Sequence, residues 1–260
     1  MDISLEIVPR SAASVREDLR VCGAYGGINL INIPDLTRFS LRSWEACVLP
    51  EPGDIPARPM ADFMPHLRAR DFSLDEPFPL APFFRRQGIV KALVISGDGD
   101  EDEGGRLRRP WDSSPALPFI RKLKAEMPEL EIYAAFDPYR TNIRYELDYL
   151  ALKEEAGATG FMSQPFFDLR LLEIYSEFLE NKRIFWGLAP VLSKGSRNYW
   201  ESRNRAVFPK SFRAGLDWNI AFEKEVLAFC ARNGFNLYLM PVKVDLRPYL
   251  AGLFSPAGAE

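Results

Sequence analysis

Residues 160–192 read GFMSQPFFDLRLLEIYSEFLENKRIFWGLAPVL, and their pattern changes period twice. A short apolar and aromatic run, Gly160 to Gln164, opens the stretch, and another, Ile184 to Leu192, closes it. Between them Leu169, Leu172, Tyr175 and Leu179 recur every three or four residues, and Leu171, Ile174 and Phe178 widen this into one broad apolar face. That spacing predicts an amphipathic helix between two strands. Strand, helix and strand at this length imply parallel pairing, because a parallel crossover needs about a dozen residues.

The same unit repeats in both directions. Strands are predicted at Ile3 to Pro9, Leu30 to Asp35, Phe63 to Ala69, Lys91 to Asp98, Glu131 to Phe136, Gly160 to Gln164, Ile184 to Leu192 and Asn236 to Val242. A further helical face carries Phe222, Val226 and Phe229 with Ile220 and Leu227. Ser11 suits the cap of the first helix, Gly157 and Gly234 stand where helices stop, and Pro115 and Pro118 open the fourth. Eight βα units in 260 residues predict an α/β fold, a single (β/α)8 TIM barrel over residues 1–260 with no C-terminal regulatory domain. The alternative is an open doubly wound sheet, but the first βα turn, VPRSAAS, lacks the glycine fingerprint of a dinucleotide-binding sheet. Pro50 to Pro59 and Gly99 to Pro110 read as long βα loops, either lids over a barrel mouth or plain linkers.

Composition narrows the partners. With 33 basic and 36 acidic side chains dispersed along the chain and a net charge of −3, there is no basic stripe for a phosphate backbone, and nucleic acid is not expected. One histidine, His66, and three scattered cysteines, Cys22, Cys47 and Cys230, give no ligand spacing for a metal, and none is expected. The cysteine usage suits a reducing compartment. No apolar run reaches ~18 residues and no signal core opens the chain, so the expectation is a cytoplasmic enzyme that does not enter a membrane.

On a barrel, polar groups at the carboxyl ends of strands are the functional candidates. Glu6, Asp35, His66, Asp98, Asp137 and Gln164 occupy such positions. Glu6, flanked by Leu5 and Ile7, is expected to face the lumen, where poor hydration raises a carboxyl pKa and makes a general acid near neutrality. The competing reading pairs Glu6 with an arginine at the barrel bottom. Phe166 and Phe167 follow Gln164, where one ring can face a planar ligand. His66 alone reads equally as a core group or a ligand contact.

Several segments together resemble the methylenetetrahydrofolate reductase family. They are SLEIVPR at the first strand, LINIPD at Leu30 to Asp35, MPHL at Met64 to Leu67, and ALVISGD at Ala92 to Asp98. AAFDP at Ala134 to Pro138, LKEEAGATGFMSQPFFD at Leu152 to Asp168, WGLAPVL at Trp186 to Leu192 and GFNLYLMPV at Gly234 to Val242 follow in the same order. The resemblance implies a flavoprotein barrel that reduces 5,10-methylenetetrahydrofolate to 5-methyltetrahydrofolate through FAD, with NADH or NADPH as electron donor. It makes Glu6 the general acid, places Asp98 beside the developing iminium ion and sets Gln164, with Phe166 and Phe167, against the reduced folate.

The flavin positions implied are His66, Gly97, Asp98, Ala134 and Lys153. Glu146 stands in place of an aspartate and Phe136 in place of a tyrosine. Pro34, Ser96, Tyr149 and Leu152 stand where the family carries a threonine, an arginine, an asparagine and another arginine. Arg38, Arg42, Arg140 and Arg144 are nearby cations that can substitute. Two alternatives stay open: a folate reductase that uses no flavin or takes electrons from a redox partner protein, and a noncatalytic folate-binding subunit. Whether the chain forms a homo-oligomer stays open as well.

Overall fold

The structure, a computed structural model, describes residues 1–50, 63–97 and 114–255. Eight parallel strands close into a barrel in chain order: β1 (Ile3–Glu6), β2 (Ile28–Ile33), β3 (Phe63–Arg68), β4 (Lys91–Ile95), β5 (Glu131–Phe136), β6 (Gly160–Pro165), β7 (Ile184–Leu188) and β8 (Asn236–Leu239). The seam closes where Ile3, Ser4 and Leu5 pair with Leu237, Tyr238 and Leu239, and no strand is left with an open edge. The architecture is the (β/α)8 barrel that the alternation predicts. β5 has the predicted bounds, while β1, β4, β7 and β8 end earlier. After β7 and β8 the chain meets Pro190 and Pro241, which have no N–H to give a ladder.

The helices wrap the outside: α1 (Ala12–Gly23), α2 (Ser43–Ala46), α3 (Ala81–Gln87), α4 (Ala116–Glu126), α5 (Ile143–Glu155), α6 (Leu169–Phe178), α7 (Lys194–Arg203), α8 (Leu216–Asn233) and α9 (Leu246–Leu253). Ser11 caps α1 reciprocally with Ser14, each hydroxyl accepting the other residue's backbone N–H at 3.1 and 3.0 Å. Gly234 ends α8 in the left-handed region, with φ of 69°, a conformation that costs other residues about 1 kcal/mol or more.

Strand alternation sorts the core into two layers. Ile3, Leu5, Ile132, Ala134, Phe136, Trp186 and Leu188 belong to the outer layer beneath the helices. Leu30, Met64, Leu93, Tyr133, Met162, Phe185 and Tyr238 form the inner one, so the lumen is a packed core below its mouth.

The helix faces differ in part from their predicted breadth. On α6, Leu172, Tyr175 and Leu179 are buried, but Ile174 and Phe178 are 43% and 60% exposed. The sheet covers only the stripe of a helix that faces it. On α8 the buried stripe is Asn219, Glu223, Val226 and Cys230, and the predicted Phe222, Phe229, Ile220 and Leu227 flank it as partly buried groups. The two polar members of that stripe break the apolar pattern that sequence reasoning follows.

Candidate functional site

The carboxyl end of β1 delivers Glu6 to the lumen side, since Leu5 and Ile7 take the outer layer. Across the seam, the Tyr238 hydroxyl of β8 donates to Glu6 Oε2. The partner is therefore a tyrosine and not an arginine. Burial pushes the Glu6 carboxyl up to about 7, with the Tyr238 bond pulling the other way. Burial, reinforced by the adjacent Glu6 charge, holds the Tyr238 phenol well above its ordinary range, so Tyr238 is a donor at every working pH. A carboxyl poised near neutrality can both hold and release a proton, which is the requirement for a general acid.

The next two strands carry a polar chain that runs beside this pair. Asn32 Nδ2 donates to Ser4 Oγ, and Asn32 Oδ1 lies 3.2 Å from His66 Nε2. Burial drives His66 down to about 3 against the opposing pull of the Asp35 charge. The imidazole is neutral at working pH and acts by hydrogen bonding only. Arg42 grips Asp35 in a fork, Nε to Oδ1 at 3.0 Å and Nη2 to Oδ2 at 2.5 Å, and its Nη2 reaches Asp71 at 3.1 Å. This clamp ties the end of β2 to the turn after β3. Gly97, just past β4, has φ of +86°, and a Cβ there would sit 3.4 Å from Arg68. The positive φ favours glycine, whereas the Arg68 contact is an ordinary one. Asp98 lies outside the described residues, as do 51–59 of the first proline-rich loop and the whole of Gly99 to Pro110.

In β6 the register shifts between Met162 and Pro165. Gly187 N–H donates to Ser163 Oγ at 2.6 Å, and that hydroxyl donates to the Gln164 carbonyl at 2.8 Å. Such an irregularity re-aims side chains at a barrel rim. Gln164 is half-buried there, with Asn204 Nδ2 3.4 Å from its Oε1. Phe166 and Phe167 go to opposite layers. Phe166 packs with Phe136, Tyr175 and Trp186 in the outer core. Phe167 stacks on Phe208 at 4.3 Å and meets Trp200 edge-on at 5.6 Å. Both rings are buried.

The β5–α5 sector is built differently. Ala134 and Phe136 point into the outer layer. Glu146, fully buried, accepts the Asp137 N–H and Arg140 Nη2, both at 3.1 Å. Lys153 donates to the Ala135 carbonyl and lies 3.7 Å over the Tyr149 ring. Burial lowers Lys153 to about 7, with the Glu146 charge opposing it, and burial raises Asp137 against the pull of Arg140.

A flavin diphosphate needs cations that no carboxylate already holds. Arg42 is taken by Asp35 and Asp71, Arg140 by Glu146, and Arg144 by Asp148 at 3.2 Å. Glu146 and Lys153 are satisfied within the protein, and Ala134 and Phe136 are covered by core. Of the described flavin positions, only His66 and Gly97 stand at the mouth. Of the four nearby arginines only Arg38 makes no ion pair with a described residue, and it stands in a different sector, so the matched positions around Glu146 and Lys153 leave no free cation for a flavin diphosphate.

A cavity of about 450 Å³ opens beyond the carboxyl ends of β7 and β8, lined by Arg38, Leu192, Ser193, Tyr199, Trp200 and Lys243 among others. Sequence reasoning noted Arg38 only as a spare cation and missed Lys243. The available signal was position, since Lys243 directly follows Val242, the predicted end of the eighth strand. Among the described residues no three His, Cys, Asp or Glu side chains gather as a metal site, and no helix is long and apolar enough to cross a membrane.

The geometry defines a (β/α)8 barrel with a near-neutral acid at its mouth. No protein-family model matches the chain, and no curated protein matches it. Solved structures do. An uncharacterized protein from Clostridium thermocellum, described as binding two copies of 5-methyl-5,6,7,8-tetrahydrofolic acid, superposes with a TM-score of 0.64 at 13% identity over 97% of this chain and 93% of that one. An oxaloacetate acetylhydrolase gives 0.56 at 11% identity over 96% and 78% of the two chains. A 2,3-dimethylmalate lyase gives 0.55 at 11% over 97% and 79%. At such identities the likeness establishes the barrel and nothing finer.

Proposed function

We propose that this barrel binds a reduced folate at its mouth and reduces 5,10-methylenetetrahydrofolate to the 5-methyl form, with Glu6 as the proton donor. The observation that carries the reading is the Glu6–Tyr238 pair, a lumen carboxyl poised near 7 and backed by a permanent donor. The motif order along the chain and the folate described for the Clostridium thermocellum protein support the choice of substrate.

The chemistry asks little more of the chain. Glu6 gives its proton to N10 of the bridged ring as the bond from N10 to the one-carbon unit breaks, its electron pair staying on nitrogen. The product is an iminium at N5. A hydride from NADH or NADPH then adds to that carbon and leaves the N5-methyl group. Tyr238 stabilises the Glu6 carboxylate that results, and Gln164 at the β6 rim orients the pterin. Asp98 is the proposed anion beside the iminium. With Arg42, Arg140 and Arg144 spent on carboxylates, the proposed route passes the hydride directly between nicotinamide and folate.

The test is single-turnover reduction of 5,10-methylenetetrahydrofolate by NADH in the wild type and in Glu6→Gln, alongside binding of 5-methyltetrahydrofolate to both. The variant should still bind folate and should reduce it about 10²-fold more slowly or worse. Equal rates would overturn the acid role. Folate binding without turnover in the wild type would favour a second reading, a noncatalytic folate-binding protein, to which the neighbour described by its binding alone lends weight.

A further inference from the structure

Two cations line one cavity at the barrel mouth with no carboxylate beside them among the described residues. Arg38, from the segment after β2, and Lys243, just after β8, both line the space of about 450 Å³ beyond β7 and β8. No carboxylate stands among the described residues that line it, and neither cation makes an ion pair with a described residue. The other cations of the mouth behave differently, since Arg42 is spent on Asp35 and Asp71 and Arg140 on Glu146. In a chain of net charge −3, a positive pair around a cavity with no acidic partner among the described residues is an arrangement for attracting an anion.

The remaining walls fit an elongated ligand with one anionic end. Ser193 and Ser196 add hydroxyl-bearing residues, and the first turn of α7 borders the same space. Trp200 and the 57% exposed Tyr199 supply aromatic surface alongside. In (β/α)8 barrels the loops after strands seven and eight frequently form a phosphate-binding site. The cavity adjoins the sector of Glu6, because β8 carries Tyr238 and is followed by Lys243.

We infer that this cavity is an oxyanion subsite in which Arg38 and Lys243 hold the charged end of a ligand whose ring system reaches the mouth. The inference rests on the folate reading for that ring system. Two ligand parts share the required chemistry: the glutamyl carboxylates of a folate and the diphosphate of a nicotinamide nucleotide.

Calorimetric titration at low ionic strength with p-aminobenzoylglutamate, with ADP-ribose, and with a 5-methyltetrahydropterin that lacks the tail separates them. Arg38→Gln and Lys243→Asn are the variants, asparagine being chosen because Lys243 has φ of 57° and asparagine tolerates that region. The wild type should bind at least one of the two anionic probes, more weakly as salt rises, and each variant should weaken that probe about tenfold while leaving the tail-less pterin unchanged. The probe that responds identifies the source of the anion. Binding of the pterin with neither anionic probe retained, or anionic probes held equally well by both variants, would overturn the subsite and leave the folate reading standing. Failure of the pterin itself to bind would count against the folate reading, and the anionic probes would still decide the subsite.

Discussion

Half-buried Glu6 and buried Glu223 are two carboxyls each bonded to a tyrosine hydroxyl and each raised by desolvation, to about 7 and about 8. They differ in place. Glu6 ends a barrel strand at the mouth, half-covered, on the side where strands present polar groups to a ligand. Glu223 lies between α8 and α9 against Tyr249, and its Oε1 has no hydrogen-bond partner among the described residues. A raised pKa is thus a statement about burial, and only position turns it into a candidate proton donor. A third buried carboxyl, Glu146, shows the remaining possibility, because Arg140 and a backbone N–H take up its oxygens and it serves as structure.

The largest effect that would sharpen this contrast is on Glu146. Glu146→Ala leaves Arg140 without its ion-pair partner inside the barrel wall and should cost about 3 kcal/mol in urea unfolding. A loss below 1 kcal/mol would break the assignment of that sector to structure. Next comes Glu223→Gln. The folded carboxyl titrates at about 8 against an ordinary 4.5, so the wild type loses stability as pH rises between those values while the glutamine variant does not. The variant should be more stable than the wild type at pH 9, and the two should agree in their pH trend below pH 4. The smallest effect is Tyr238→Phe. It removes one hydrogen bond worth about 1 kcal/mol, and because that bond lowers the Glu6 pKa, the alkaline limb of the pH–rate profile, where the general acid is lost, should move to higher pH. An unmoved limb would separate Tyr238 from the proton transfer.

The fold was legible because alternation survives in each unit taken alone: strand runs bounded by prolines and glycines, and helical spacing between them, as in residues 160–192. Glu6 was legible for a related reason, since a lone carboxylate between Leu5 and Ile7 has few places to go. Asn32 carried the same mark within LINIPD and was passed over. Tyr238 was not readable as its partner, because the contact joins residues at opposite ends of the chain and depends on the closure register. Phe166 and Phe167 show a second limit: adjacent residues at a strand end go to opposite layers, and sequence names the pair without saying which ring turns where. Arg38 and Lys243 come to line one cavity only through the closure of the barrel. The polar stripe Asn219 and Glu223 on α8 escaped because an apolar-face reading assigns such residues to solvent.

The central claim is that Glu6 holds a proton near neutrality at the site where the folate binds. Carbon-13 NMR of glutamate-labelled protein, with the Glu6 carboxyl signal assigned by its loss in Glu6→Gln, measures this directly. The account predicts a midpoint near 7 that shifts when 5-methyltetrahydrofolate is added. A midpoint near the ordinary 4.5, with no response to the folate, would contradict it.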